Sequence, residues 1–134
     1  MSERVIHTDA STPYRRVLAA STLAKDDVYN RLNEKVGSIQ EIMIDVPTGR
    51  VAYTVLSVGG FLGMGDRLFA IPWRALTLDE DRKCFVMDVD KKSLENAPGF
   101  DKSNWPDMAD PTWDRNIQNY WQDYYATGSE PMPR

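Results

Sequence analysis

At 134 residues the chain is long enough to bury a core without staples and reads as one domain; its single cysteine rules out an internal disulfide. A net charge of −4, with 20 acidic residues against 16 scattered basic ones, disfavours a nucleic-acid-binding surface, because counterion displacement needs clustered Lys and Arg. The apolar runs are far too short for a membrane span, and the polar N-terminus carries no secretory signal, so the expected compartment is the cytoplasm.

Residues 1–14 are polar and aperiodic and are read as a flexible tail. His7, the only histidine, falls there, without a partner to orient it for catalysis. Arg15 to Leu23 is β-prone and closes with small residues. Val28 and Tyr29 start a strand, and Asn33 suits a left-handed position in the turn that follows. From Val36 to Val46 two periods compete. Val36, Ile39 and Met43 fit a helix, whereas Ile42, Ile44 and Val46 fit a strand. Gly37 and the isoleucines favour strand, with the change of phase placing a bulge near Gln40.

Asp45-Val46-Pro47-Thr48-Gly49 predicts a hairpin, with Pro47 at the second turn position and Gly49 taking a positive φ. Val51 to Val58 is apolar on both alternating faces and must be covered on both. The glycine-rich turn from Gly59 to Gly65 lacks the helix and the Lys-Ser/Thr pair of a phosphate loop. Its Phe61, Leu62 and Met64 either form a contact or cap the end of the fold. Leu68 to Trp73 is the next strand, where Pro72 marks an edge, a bulge or an end. Ala75 to Leu78 continues the sheet, Asp79 to Arg82 makes a solvated charged turn, and Cys84 to Val89 is the last strand, with Cys84 a small buried hydrophobe.

Asp90 caps a short helical turn, and Asp110-Pro111 opens a final helix. On that helix Trp113, Ile117, Tyr120, Trp121 and Tyr124 share one face, which must pack on the sheet or on a sister subunit. Gly128 stops the helix, and residues 127–134 form a second flexible tail.

Several of these segments together resemble the PRC-barrel domain family. The resemblance is carried by Val17-Leu18-Ala19-Ala20-Ser21-Thr22-Leu23, Asp27-Val28-Tyr29-Asn30, Lys35-Val36-Gly37, Ile42-Met43-Ile44-Asp45 and Gly49-Arg50-Val51-Ala52-Tyr53. It continues through Leu56 to Gly63, Phe69-Ala70-Ile71-Pro72-Trp73 and Val86-Met87-Asp88-Val89, so that it covers residues 15–96. Residues 97–126, with Pro98-Gly99-Phe100, Asn104-Trp105-Pro106 and the aromatic helix, are similar to the C-terminal extension of stand-alone bacterial members.

The resemblance implies a mainly β protein: a small barrel of about six antiparallel strands with a C-terminal amphipathic helix. The family includes the cytoplasmic domain of the photosynthetic reaction centre H subunit. It also includes the C-terminal half of a ribosome-maturation factor that binds a small-subunit ribosomal protein. The sequence shows neither the membrane helix of the first nor the preceding domain of the second, so neither role carries over intact. What the family shares is a barrel that presents surface to other proteins, without common catalytic residues.

The expectation is therefore a non-enzymatic interaction or assembly module, a homodimer that also binds an unidentified protein and uses no metal or cofactor. Phe61, Leu62, Met64, Trp105, Trp113 and Trp121 are its candidate interaction surface. The alternative is a ribosome- or RNA-metabolism-associated factor. An enzyme is disfavoured because neither His7 nor Cys84 has a base and an orienting group at a recognisable spacing, and barrels this small are filled by side chains rather than by ligand.

Overall fold

The computed structural model describes residues 17–61 and 65–126, and the side chain of Phe61 lies outside that description. Both predicted tails, His7 and the apolar tip of the glycine-rich turn fall outside it as well. The first described element, α1 (Ala20–Leu23), is a single helical turn closed by Ala24 N–H on Ala20 O at 2.9 Å. Strand propensity in this stretch gives way because no strand among the described residues pairs with it, while Ala19 and Ala20 favour the helical turn.

Strand β1 (Asp27–Tyr29) leads through a tight turn into β2 (Lys35–Asp45). Asn33 takes φ 65° there, as its place in the turn predicts. The turn is organised by Asn30, a buried residue whose amide is fully used. Its Oδ1 accepts from Leu32 N–H at 3.0 Å and Glu34 N–H at 2.9 Å. Its Nδ2 donates to Glu34 Oε1 at 2.8 Å and, across the sheet, to Val89 O at 3.2 Å. Strand β2 pairs with β3 (Arg50–Phe61), and the register slips between Ile39 and Glu41, the bulge expected at Gln40. Gly37 lets the two strands close up: a Cβ there would lie 2.2 Å from Ser57 O. The hairpin turns on Gly49 at φ 75°, whose N–H donates to Asp45 O at 2.8 Å.

Strands β4 (Gly65–Pro72), β5 (Leu76–Asp79) and β6 (Cys84–Met87) complete one sheet in the order β4-β3-β2-β1-β6-β5. The expected closed antiparallel barrel is corrected on two points. β1 and β6 run parallel, pairing Val28 with Phe85 and Tyr29 with Val86, and no hydrogen-bonded ladder joins β4 to β5 among the described residues. The directions explain the second. Following the pairings, β4 and β5 point the same way, and a parallel pair needs a crossover of about a dozen residues. Only the 3₁₀ turn Trp73–Ala75 lies between them. The chain therefore rounds a corner after Pro72 and passes from one edge of the sheet to the other without laddering the edges.

The core combines Val28, Val36, Ile39, Leu56, Phe69, Ile71, Phe85 and Met87 from the sheet with Leu94 and the inner face of the last helix. In β3, Tyr53, Thr54, Val55 and Leu56 are all buried, so both faces are covered, as its pattern requires. The covering element is α2 (Pro111–Ala126), which packs chiefly on β4. Asp110 Oδ1 accepts from Thr112 N–H at 2.9 Å and caps it. Ile117, Trp121 and Tyr125 are its buried positions, with Trp113, Tyr120 and Tyr124 half-buried beside them. Burying those three side chains contributes roughly 6 kcal/mol in gross transfer terms. The helix is fastened at both ends. The Tyr53 hydroxyl donates to Asp114 Oδ1 near its start, and Asp90 N–H donates to Tyr124 Oη at 3.1 Å near its end. Asp90 also caps the 3₁₀ helix Lys91–Asn96 by accepting from Lys92 N–H at 3.1 Å.

Candidate interaction surface

Among the described residues, the sequence-derived contact residues Trp105, Trp113 and Trp121 do not form one patch. Trp121 is 1 % exposed and belongs to the core, where it touches Tyr120, Tyr124 and Tyr125, so it offers nothing to a partner. Trp113 is half-buried and stands edge-on to Tyr53, with ring centroids 5.3 Å apart. Trp105 is the surface member, 38 % exposed and edge-on to Phe100 at 5.2 Å. Leu62, Met64 and the side chain of Phe61 lie outside the described residues.

Phe100 places Trp105. Its backbone makes an antiparallel bridge to Leu68 on the outer edge of β4, with N–H···O distances of 2.9 and 2.8 Å. Gly99 permits that approach: a Cβ there would lie 2.8 Å from the Phe69 ring and 3.0 Å from Leu68 O. Arg67 and Asp101 pair at 3.5 Å alongside. The segment after the 3₁₀ helix is thus a strap along the β4 edge.

Among the described residues, five exposed apolar side chains were not singled out from the sequence, Val17 and Leu32 among them. Ile44 and Val46 stand at the β2–β3 hairpin, and Trp73 stands at the corner, edge-on to Phe85 with ring centroids 5.9 Å apart. Pro72 carried the signal for Trp73, because a strand that ends at a proline throws the next residue out of the alternation.

A second surface arises only in three dimensions. On the outer face of the β1–β6–β5 half, Tyr29, Val86 and Thr77 stand side by side across the three strands. Arg82 lies over the Tyr29 ring at 5.2 Å and donates to Asn33 Oδ1 at 2.5 Å. Arg31 faces Asp88 at 3.7 Å, and Arg82 faces Asp79 at 3.9 Å. Open depressions flank Arg31 on either side, one toward Thr77 and Asp79–Asp81, the other toward Asn33 and Arg82. Arg31 and Arg82 are far apart in sequence, and nothing local announces that parallel pairing brings them together.

Among the described residues, the titratable groups that shift clearly do so upward, through burial. Burial pushes the Cys84 thiol up, against the opposing pull of Arg82, which keeps it protonated and poorly nucleophilic. Burial, followed by the charge of Asp27, raises Asp26. The Tyr125 phenol is raised far by burial. Asp79 serves its own turn, Oδ1 accepting from Arg82 N–H at 3.2 Å. Among the described residues no group of three or more His, Cys, Asp or Glu side chains is placed to hold a metal ion, and no helix is long and apolar enough to cross a membrane.

Comparison with known proteins agrees with the family resemblance. The PRC-barrel domain profile matches residues 15–94. No curated protein sequence matches the chain. Among solved structures, a Pseudomonas aeruginosa protein assigned to 16S ribosomal RNA processing, RimM, is similar at 18 % identity and a TM-score of 0.38, over 56 % of this chain. The similar region spans 45 % of that protein's length.

Proposed function

The chain belongs to the PRC-barrel domain family, and from that premise we propose that it is a non-enzymatic protein–protein interaction module that works as a homodimer. The observation that carries this reading is a set of large apolar side chains held exposed on ordered elements. Ile44, Val46, Trp73 and Trp105 stand on a hairpin, a corner and a strap whose backbones are fixed by hydrogen bonds. Rigid exposed apolar groups suit association, because little side-chain or loop entropy is lost on contact.

Pull-down from native-cell extract tests the partner-binding half. Replacing Ile44, Val46, Trp73 and Trp105 by Ser should abolish capture of a specific partner while circular dichroism stays unchanged. Unaltered capture would remove that surface from consideration. Sedimentation velocity tests the homodimer, and a monomer at all concentrations up to about 100 μM, a Kd range weaker than most functional interfaces, would sink it.

A second reading, a ribosome- or RNA-metabolism-associated factor, is favoured by Arg31 and Arg82 flanking Tyr29 on one face. Each guanidinium already faces a carboxylate, which weakens the attraction for phosphate. This reading expects salt-sensitive co-sedimentation with ribosomal particles, lost in the Arg31→Ala/Arg82→Ala variant.

A further inference from the structure

We propose that the outer face of the β1–β6–β5 half is the seat of this chain's own segment 127–134, which lies back across it and masks Arg31. The inference stands apart from the homodimer reading and concerns a face that reading does not use.

α2 covers only part of one side of the sheet. Carried from strand to strand through the pairings, the side that bears Tyr53, against which Trp113 of the helix stands, continues to Tyr29, Val86 and Thr77. There Tyr29 and Val86 are only half-buried and Thr77 is exposed. The helix ends at the border of this open part. Asp90 N–H donates to Tyr124 Oη at 3.1 Å, and Tyr125 lies close enough to Asp88 and Arg31 to feel both charges. The chain therefore leaves Ala126 beside Arg31, and Thr127-Gly128-Ser129-Glu130-Pro131-Met132-Pro133-Arg134 follows. Four extended residues reach about 13 Å, whereas β1 and β5 lie about 10 Å apart across β6.

The two depressions that flank Arg31 differ in sign. One is lined by the donors of Arg31, Asn33 and Arg82, the other by the carboxylates of Asp79, Glu80 and Asp81, and Val86 lines both. The segment repeats that order in complementary form. Glu130 suits the first depression, Arg134 the second, and Pro131-Met132-Pro133 the apolar ground between them. The reverse placement would set Glu130 against three carboxylates and Arg134 against two guanidinium groups. Arg31 meets Asp88 through Nε at 3.7 Å, and its side chain is 58 % exposed, so its terminal N–H groups remain open to Glu130. Asp81, exposed in its turn, is the acceptor for Arg134. An exposed ion pair alone contributes little, but a short tether raises the local concentration of the segment to the order of millimolar, so weak contacts suffice. A seated segment is the first competitor for any acidic group approaching Arg31 and Arg82, and an outside partner would have to displace it.

Nuclear Overhauser contacts from the Met132 methyl, measured on the full chain at low salt, test this. The wild type should show them to the Tyr29 ring and the Val86 methyls, at the same strength at every protein concentration. Glu130→Lys and Asp81→Lys should each weaken them about fivefold, and Asp81→Lys/Arg134→Glu should restore them. High salt should weaken them in the wild type. Asp81 is exposed, and circular dichroism checks that each variant folds; Glu130→Lys carries the test by itself if the Asp81 variants do not. A Met132 methyl without contacts to this face overturns the proposal. Contacts indifferent to all the charge changes overturn the seating of Glu130 and Arg134. Contacts that strengthen with concentration overturn it in favour of the segment from another copy.

Discussion

The two edges of the sheet have opposite fates. In β4, every residue from Leu68 to Pro72 is buried; α2 lies on the strand, and the Phe100 strap occupies its outer ladder. In β5, none of the four residues is buried. An uncovered edge invites pairing, so the molecule spends its C-terminal extension on one edge and leaves the other open. The difference shows what the extension does: among the described residues it seals one edge of the sheet and leaves the other uncovered.

The strongest way to break the contrast is to evict the strap. Gly99→Val places carbon inside contact range of Phe69 and of Leu68 O, so urea unfolding should lose about 3 kcal/mol. The variant should also form larger, open-ended assemblies on sedimentation, because both edges would then be available. A variant as stable and as small as the wild type would show that the strap is dispensable.

A somewhat smaller effect is expected at Asn30, which ties the β1–β2 turn to the chain leaving β6. Asn30→Ala leaves two backbone donors and the Val89 carbonyl without this partner and should cost about 2 kcal/mol. The loss should fall on the open half, so exchange should accelerate in β5 and β6 before β4. Uniform acceleration would mean that Asn30 supports the whole sheet equally.

The smallest and most local probe is Cys84, which opposes Asp79 across the β5–β6 ladder. Because burial raises its pKa above that of the unfolded thiol, the stability it contributes is present below the unfolded pKa and is lost as pH rises through the folded one. Alkylation at pH 8 should therefore be slow in the native protein. It should quicken in urea below the unfolding midpoint, while a cysteine placed at Ile71 reacts only on global unfolding. Equal labelling of both sites would erase the distinction between the edges.

Much of the local architecture was legible in the residues because it depends on backbone chemistry close at hand. Gly49 and Asn33 take positive φ, the bulge falls at Gln40, and Asp90 and Asp110 cap the elements they precede. The aromatic helix was legible as a face needing cover, although the sequence alone did not decide whether sheet or subunit would cover it. What escaped depends on distant partners. The parallel β1–β6 pair, the open sheet, the four bonds of Asn30 and the meeting of Arg31 with Arg82 are set by topology, which leaves no periodic trace. Trp121 was misplaced on the surface for a related reason: its neighbours on the helix face are equally aromatic, and only packing separates the buried from the half-buried members.

The corner at Trp73–Ala75 divides the chain into two pieces that cannot stand apart. The piece before it brings Val28, Ile39, Leu56 and Phe69 to the core, and the piece after it brings Phe85, Met87, Leu94 and Trp121. Neither piece holds enough of the core to bury its own apolar face, yet the corner itself is only a three-residue 3₁₀ turn at the rim of the sheet. Severing the chain there should give two fragments that are unfolded separately and reassemble when mixed. The covalent link at the corner would then matter for the rate at which the halves find each other more than for the form they take together.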